Sequence, residues 1–404
     1  MTVLTAAVSG CVDWSQPRED LDVDDIIAIG KGYLLEERGA QASEAFRAAI
    51  DLDADSAEAR YGLMMAQIMQ FTNLIDEFVL LIGQLDLGGT AKNASTTSAE
   101  TVDLGALIHG FLNDTLVPLL KSNEEQYAIL AGQADLQFDL ERYILRVNDS
   151  PVLDVGGEFD KTDLHFFGAV NAALDGVLEF LLAYNLGFDI NALSLPESDP
   201  NTDLYTTVSG YLDLVEALLT DPTYPDFLTL VDGGDGHLSA SGVALGNVFV
   251  RLRRMLDQVA TERDPQDDDP VRFLDYNHDG SYDKWSEPIA VGTLFVIDPE
   301  LASALRVTAP RVAAAFFDGS SADPDPGRAS PLTAADLNEL LRALDVLPIV
   351  LGNPDRPFVI GGLPDFIGLD IGSFFHDADP FALRDFLIQV IDIWDLFGGV
   401  IAAS

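Results

Sequence analysis

Apolar residues return at three- and four-residue intervals from Asp24 onward: Ile26, Ile29, Gly30, Tyr33, Ala42, Phe46 and Ala49 share one helical face pattern. The pattern predicts two helices, with a third continuing over 56–87. Helical spacing resumes from Thr101 to about Gln133. Around Asn148-Asp149-Ser150-Pro151 the period changes. β-branched and aromatic residues flank a turn signal, which predicts a β-hairpin within about 136–160. Residues 163–185 and 381–397 read as long, largely apolar helices. On the first, Asn171, Asp175 and Glu179 recur every four residues as a narrow polar stripe, either a solvent-facing edge or a polar seam lining a cavity. On the second, Gln389, Asp392 and Asp395 oppose Phe386, Ile393 and Trp394. Thr333 with Asp336 signals a helix start near 334. Stretches rich in Asp, Pro, Gly and Ser at 197–203, 262–270 and 318–331 read as loops. The expected fold is mainly α, a multi-helix array or bundle with one small β-hairpin.

The stretch AIGKGYLLEERGAQASEAFRAAIDLDADSAEARYGL resembles one tetratricopeptide repeat running into a third helix. Small residues let two antiparallel helices approach, and Tyr33 and Phe46 fill the gap between them. Ala54 stands where the family usually has a turn proline, and no second full repeat is present. A single repeat cannot cover its own apolar face, so it is expected to dock on its own chain, or else to offer a peptide groove. The expected organisation is a leader remnant and tether over 1–20, a tetratricopeptide-like region over 21–87, a Gly/Ser/Thr-rich linker over 88–100, and a mainly helical domain over 101–404.

Charge narrows the function classes. The chain carries 67 acidic against 22 basic residues, a formal net charge of −45, within a composition that is 48% hydrophobic. It has ample material for a core. Nucleic acid is excluded as an expected partner, because phosphate binding needs clustered Lys and Arg. The densest basic cluster, Arg251, Arg253 and Arg254, reads as a local ion-pairing face. So acidic a surface suits a salty or calcium-bearing medium, or serves solubility alone.

The single cysteine, Cys11, excludes an internal disulfide framework and any cysteine-based zinc site. Val8-Ser9-Gly10-Cys11 resembles the lipobox of bacterial lipoproteins. That resemblance implies cleavage before Cys11, acylation of its thiol and new amino group, and attachment to a membrane through lipid. Val12, in a place where Asp favours inner-membrane retention in that family, implies the outer membrane of a bacterial cell envelope. No Lys or Arg precedes Cys11, which suits a leader that begins upstream.

The clearest chemical motif is DYNHDGSYDKWSE at 275–287. Asp275, Asn277 and Asp279 alternate, Gly280 permits a sharp turn, and Asp283 comes later. This resembles the calcium loop of EF-hands and dockerin-like modules, in which closely spaced oxygens converge on one ion. The resemblance implies Asp275, Asn277 and Asp279 as side-chain ligands, Ser281 through its carbonyl, and Asp283 directly or through water. The twelfth position holds Ser286, and Glu287 sits one residue late as the remaining candidate ligand.

Weaker signals are read as structure first. VDGGDGHLS at 231–239, with Asp232, Asp235 and His237, is expected to be a turn. His376 beside Asp377 and Asp379 suits loop polarity, and His109 and His165 suit core edges. There is no G-x-S-x-G elbow, Walker loop, dinucleotide fingerprint or H-E-x-x-H. The expected function is a non-catalytic, lipid-anchored envelope protein that offers a helical interaction or scaffold module, with calcium as its cofactor and a protein or peptide as partner. Two other readings are a carrier of hydrophobic ligands and a metal-dependent hydrolase in which His237, His376 and nearby carboxylates would converge.

Overall fold

The computed structural model describes residues 21–84, 104–147, 150–187, 213, 215–261, 269–274, 288–292 and 295–317, with 375, 379, 383–384 and 387–388. Among these the fold is mainly α, 68% helical in eight helices, with a two-stranded antiparallel hairpin as expected.

The first helix, α1 (Val23–Leu35), starts at a reciprocal cap: the Asp25 amide donates to Asp22 Oδ1 at 2.9 Å. A tight turn leads to α2 (Gly39–Leu52), and a second leads to α3 (Ala57–Gln84). The expected helix pair and its third partner are therefore present. Phe46 is fully buried, its ring lying against the backbone at Gly30 and at Gly62, where a side chain would collide with it. Tyr33 is buried in the same core. At Ala54 the carbonyl accepts from an Arg60 guanidinium nitrogen at 2.6 Å, so a side chain from α3 secures the turn.

The next helical run is one rod with a fault. Helix α4 (Leu104–Phe111) passes through a π-turn, Leu112–Leu116, into α5 (Val117–Ala131). Pro118 has no amide hydrogen to offer the ladder, and the widened turn just before it absorbs that loss, with the Val117 amide reaching back to the Leu112 carbonyl.

Strands β1 (Phe138–Val147) and β2 (Ser150–Phe159) pair in antiparallel register, Phe138 opposite Phe159 and Val147 opposite Ser150. The hairpin covers the N-terminal helices. Phe138 stacks on Tyr61 with ring centroids 5.3 Å apart, and the Tyr143 hydroxyl donates to the Met65 carbonyl at 2.8 Å.

Helix α6 (Lys161–Ala183) comes next, capped by Asp160, and packs between α5 and α7 (Gly234–Val259). Helix α7 corrects one expectation. Only the first part of the 231–239 stretch turns; Gly233 is left-handed (φ 80°), and Gly234 through Ser239 are helical rather than part of a turn. A second sheet, which the sequence pattern does not predict, orders β3 (Val271–Phe273), β4 (Ile289–Val291) and β5 (Phe295–Ile297), all antiparallel. Helix α8 (Pro299–Phe316) then packs on α7. One apolar cluster joins α1–α3, the β-hairpin, α6, α7 and the second sheet, so the N-terminal helices share a core with the hairpin and the later helices.

Several expectations fall outside the described residues: Cys11 and the leader, the 88–100 linker, the loops at 197–203 and 318–331, the helix near 334, and the 275–287 loop. Of 381–397, residues 383–384 and 387–388 are described, and they are helical.

Candidate functional site

The polar stripe of α6 is the place where chemistry gathers. It is no plain solvent-facing edge, because two of its members are enclosed and the third is half-buried: Asn171 is 1% exposed and Glu179 4%, with Asp175 between them partly open. Burial comes from the neighbours. Helices α5 and α7 close on α6 from two sides, and small residues allow the approach. At Gly176 a Cβ would stand 2.7 Å from the Leu245 side chain, and the Ser241 hydroxyl donates to the Gly176 carbonyl at 2.7 Å. The stripe is thus a seam between helices.

At one end, Arg251 of α7 is buried. Its guanidinium lies 3.9 Å from the Tyr127 ring centroid, donates to the Gly168 carbonyl at 2.7 Å, and pairs with Glu124 of α5. The basic cluster is thus only partly the ion-pairing face that its sequence suggests. Arg253 does pair at the surface, 3.4 Å from Asp257, but Arg251 turns inward and cross-links three helices. His165 is buried next to it, with Nδ1 3.1 Å from the Tyr127 hydroxyl. Burial, and then the cations Arg254, Lys161 and Arg251, hold its pKa down at about 4, so the ring is neutral at neutral pH.

Midway, the Asn171 amide donates to the Leu120 carbonyl at 3.2 Å. At the far end, Glu179 Oε2 lies 2.5 Å from His237 Nδ1, and Oε1 lies 3.8 Å from Lys121 Nζ. One turn before Glu179 stands Asp175. Its Oδ1 is buried with no hydrogen-bond partner among the described residues. Burial, then the carboxylates of Glu179 and Glu124, raise its pKa to about 6, against the smaller opposite pull of Lys121 and Arg251.

A second buried carboxylate has a structural task. Asp163, fully enclosed, accepts from the Asp160 amide at 3.0 Å and from the Val271 amide at 3.0 Å, tying the start of α6 to β3. Burial pushes its pKa well above the ordinary value.

The sequence spacing discloses Asn171, Asp175 and Glu179 as a set. It gives His237 only as a turn residue, and nothing local links that histidine to Glu179, 58 positions away. Of the hydrolase set, His237 meets a carboxylate, whereas His376 lies outside the described residues. Among the described residues no group of three or more His, Cys, Asp or Glu could hold a metal ion. His109 bonds the Tyr184 carbonyl through Nε2 at 2.9 Å and is half-buried.

The candidate calcium ligands Asp275, Asn277, Asp279, Ser281, Asp283 and Glu287 lie outside the described residues, but both ends of their loop are described. Phe273 pairs with Ile289, and the Leu274 amide donates to the Pro288 carbonyl at 2.9 Å. The loop is therefore the connection of a β-hairpin whose strands are buried at Val271, Phe273, Ile289 and Val291.

No family model, curated protein or solved structure matches this chain.

Proposed function

We propose that the chain is a non-catalytic, lipid-anchored protein of the bacterial cell envelope, a helical interaction or scaffold module in which calcium braces one loop. The observation that carries the reading is the closed base of 275–287. Two paired, buried strands hold its two ends together at Leu274 and Pro288. Confinement of that kind lowers the cost of gathering like charges around one cation. Flanking strands in place of the two helices of an EF-hand suit the dockerin-like or otherwise completed site that the late Glu287 already suggests.

The anchor rests on Val8-Ser9-Gly10-Cys11. The scaffold role is supported by the way the tetratricopeptide-like helices are used. Their inner aromatic residues pack on β1, so this face serves the chain's own core rather than a peptide groove. A protein partner would then meet the outer, acidic surface. Helix α6 is likewise packed by α5 and α7, which favours a filled array over a ligand carrier.

Thermal melting tests the calcium brace. Calcium is expected to raise the midpoint of the purified chain, a chelator to reverse the rise, and Asp279→Ala to abolish it. Superimposable melts under all three conditions would leave 275–287 an ordinary turn and remove calcium from the reading.

A further inference from the structure

The α5–α6–α7 seam holds more charge than its fixed partners neutralise. Asp175 and Glu179 stand one turn apart on α6, Glu179 buried and Asp175 half-buried with one enclosed oxygen. Glu179 is committed to His237 at 2.5 Å, whereas Asp175 keeps one buried oxygen without a hydrogen bond among the described residues. The charged or titratable groups around Asp175 are Lys121 and Glu124 from α5, Glu179 from α6, and Arg251 from α7, with His237 behind Glu179. Arg251 is already engaged by Glu124 and the Gly168 carbonyl. The Lys121 side chain is 66% exposed, so water screens most of its pull. An ionised Asp175 therefore meets the buried Glu179, while Glu124 and Arg251 are paired with each other and Lys121 is exposed.

The same place fastens α7. Its first turn has no side-chain cap, and its N-cap is the left-handed Gly233. The side-chain ties from this end of α7 to α6 are His237 to Glu179 and Ser241 to the Gly176 carbonyl.

We propose that the seam is a proton-operated clasp: Asp175 takes up the proton, and the Glu179–His237 contact is what it tightens or slackens. With Asp175 neutral, Glu179 is the one inward carboxylate at that turn and keeps its hold on His237. With Asp175 ionised, two negative charges share one imidazole and one exposed ammonium, and the first turn of α7 loosens from α6. Acid therefore closes the clasp and neutrality eases it. The raised proton affinity of Asp175 places the change between roughly pH 4 and 7. The clasp is independent of the lipid anchor and the calcium loop.

Amide hydrogen exchange on the full chain tests it. After correction for intrinsic rates, protection over 171–179 and 234–241 is expected to be about tenfold higher at pH 5 than at pH 7.5. Asp175→Asn is expected to keep the acid level of protection at both values. Equal protection at both pH values in the wild type would overturn the proposal, as would a variant that retains the full pH dependence. If Asp175→Asn fails to fold, the wild-type midpoint decides: a change centred between pH 5 and 7 supports the clasp, and one centred elsewhere overturns it.

Discussion

Asn123 on α5 is fully enclosed, and neither atom of its side-chain amide has a hydrogen-bond partner among the described residues. Burying an amide without partners costs about 1–3 kcal/mol by mutational measures. Leucine is of comparable size and carries no such cost. Asn123→Leu is therefore expected to raise the thermal midpoint, by an amount corresponding to about 1–2 kcal/mol. A lowered midpoint would mean that the amide is satisfied and the packing depends on it. At this scale the sequence is readable in part. The four-residue spacing of Asn171, Asp175 and Glu179 discloses a stripe, but spacing cannot say whether a stripe faces water. That depends on His237, Ser241 and Arg251, which reach it from a helix more than fifty positions further along. Cys11 and the ligands from Asp275 to Glu287 remain motifs in the sequence.

Among the elements, helices with regular apolar spacing and ordinary interiors are legible. α1, α2, α3, α5 and α6 fall where periodicity places them, and the hairpin lies where the signal at Asn148-Asp149-Ser150-Pro151 places it, although Ser150 and Pro151 already belong to β2. Helix α7 is not legible, because Gly234, Gly236, Gly242 and Gly246 weaken its propensity and blur its start. Tertiary packing offsets that weakness: a Cβ at Gly246 would collide with Phe317, so at least one of these glycines is a docking point. Strands β3–β5 are three residues each, too short for alternation to register. The α1–α2–α3 unit yields a test at its own scale. Phe46 is the residue around which the three helices close, touching backbone at Gly30 and Gly62. Phe46→Ala should leave a cavity that glycines cannot fill and cost about 3–5 kcal/mol. The drop is expected in the urea midpoint, and a loss below about 1 kcal/mol would mean that the unit collapses around the gap.

For the whole molecule the dominant quantity is a formal net charge of −45. Such a surface repels itself, and salt relieves the repulsion by screening it beyond about 10 Å at 0.1 M ionic strength. The thermal midpoint is expected to climb steadily as sodium chloride rises from roughly 10 mM to 1 M at constant pH. A flat response would show that the charges are already neutralised in pairs. Helix α6 gives the molecule a further property. It is long and apolar enough to cross a membrane by length and composition, and 56% of its most apolar stretch is buried inside the fold. On the proposed envelope location, the chain would meet a membrane with that segment unfolded, before α5 and α7 can cover it. There Asp175 and Glu179 have a second effect, since an Asp near the middle of a span costs about 2.5–3.5 kcal/mol on insertion. The carboxylates that burden the folded seam thus raise the cost of placing this segment in lipid.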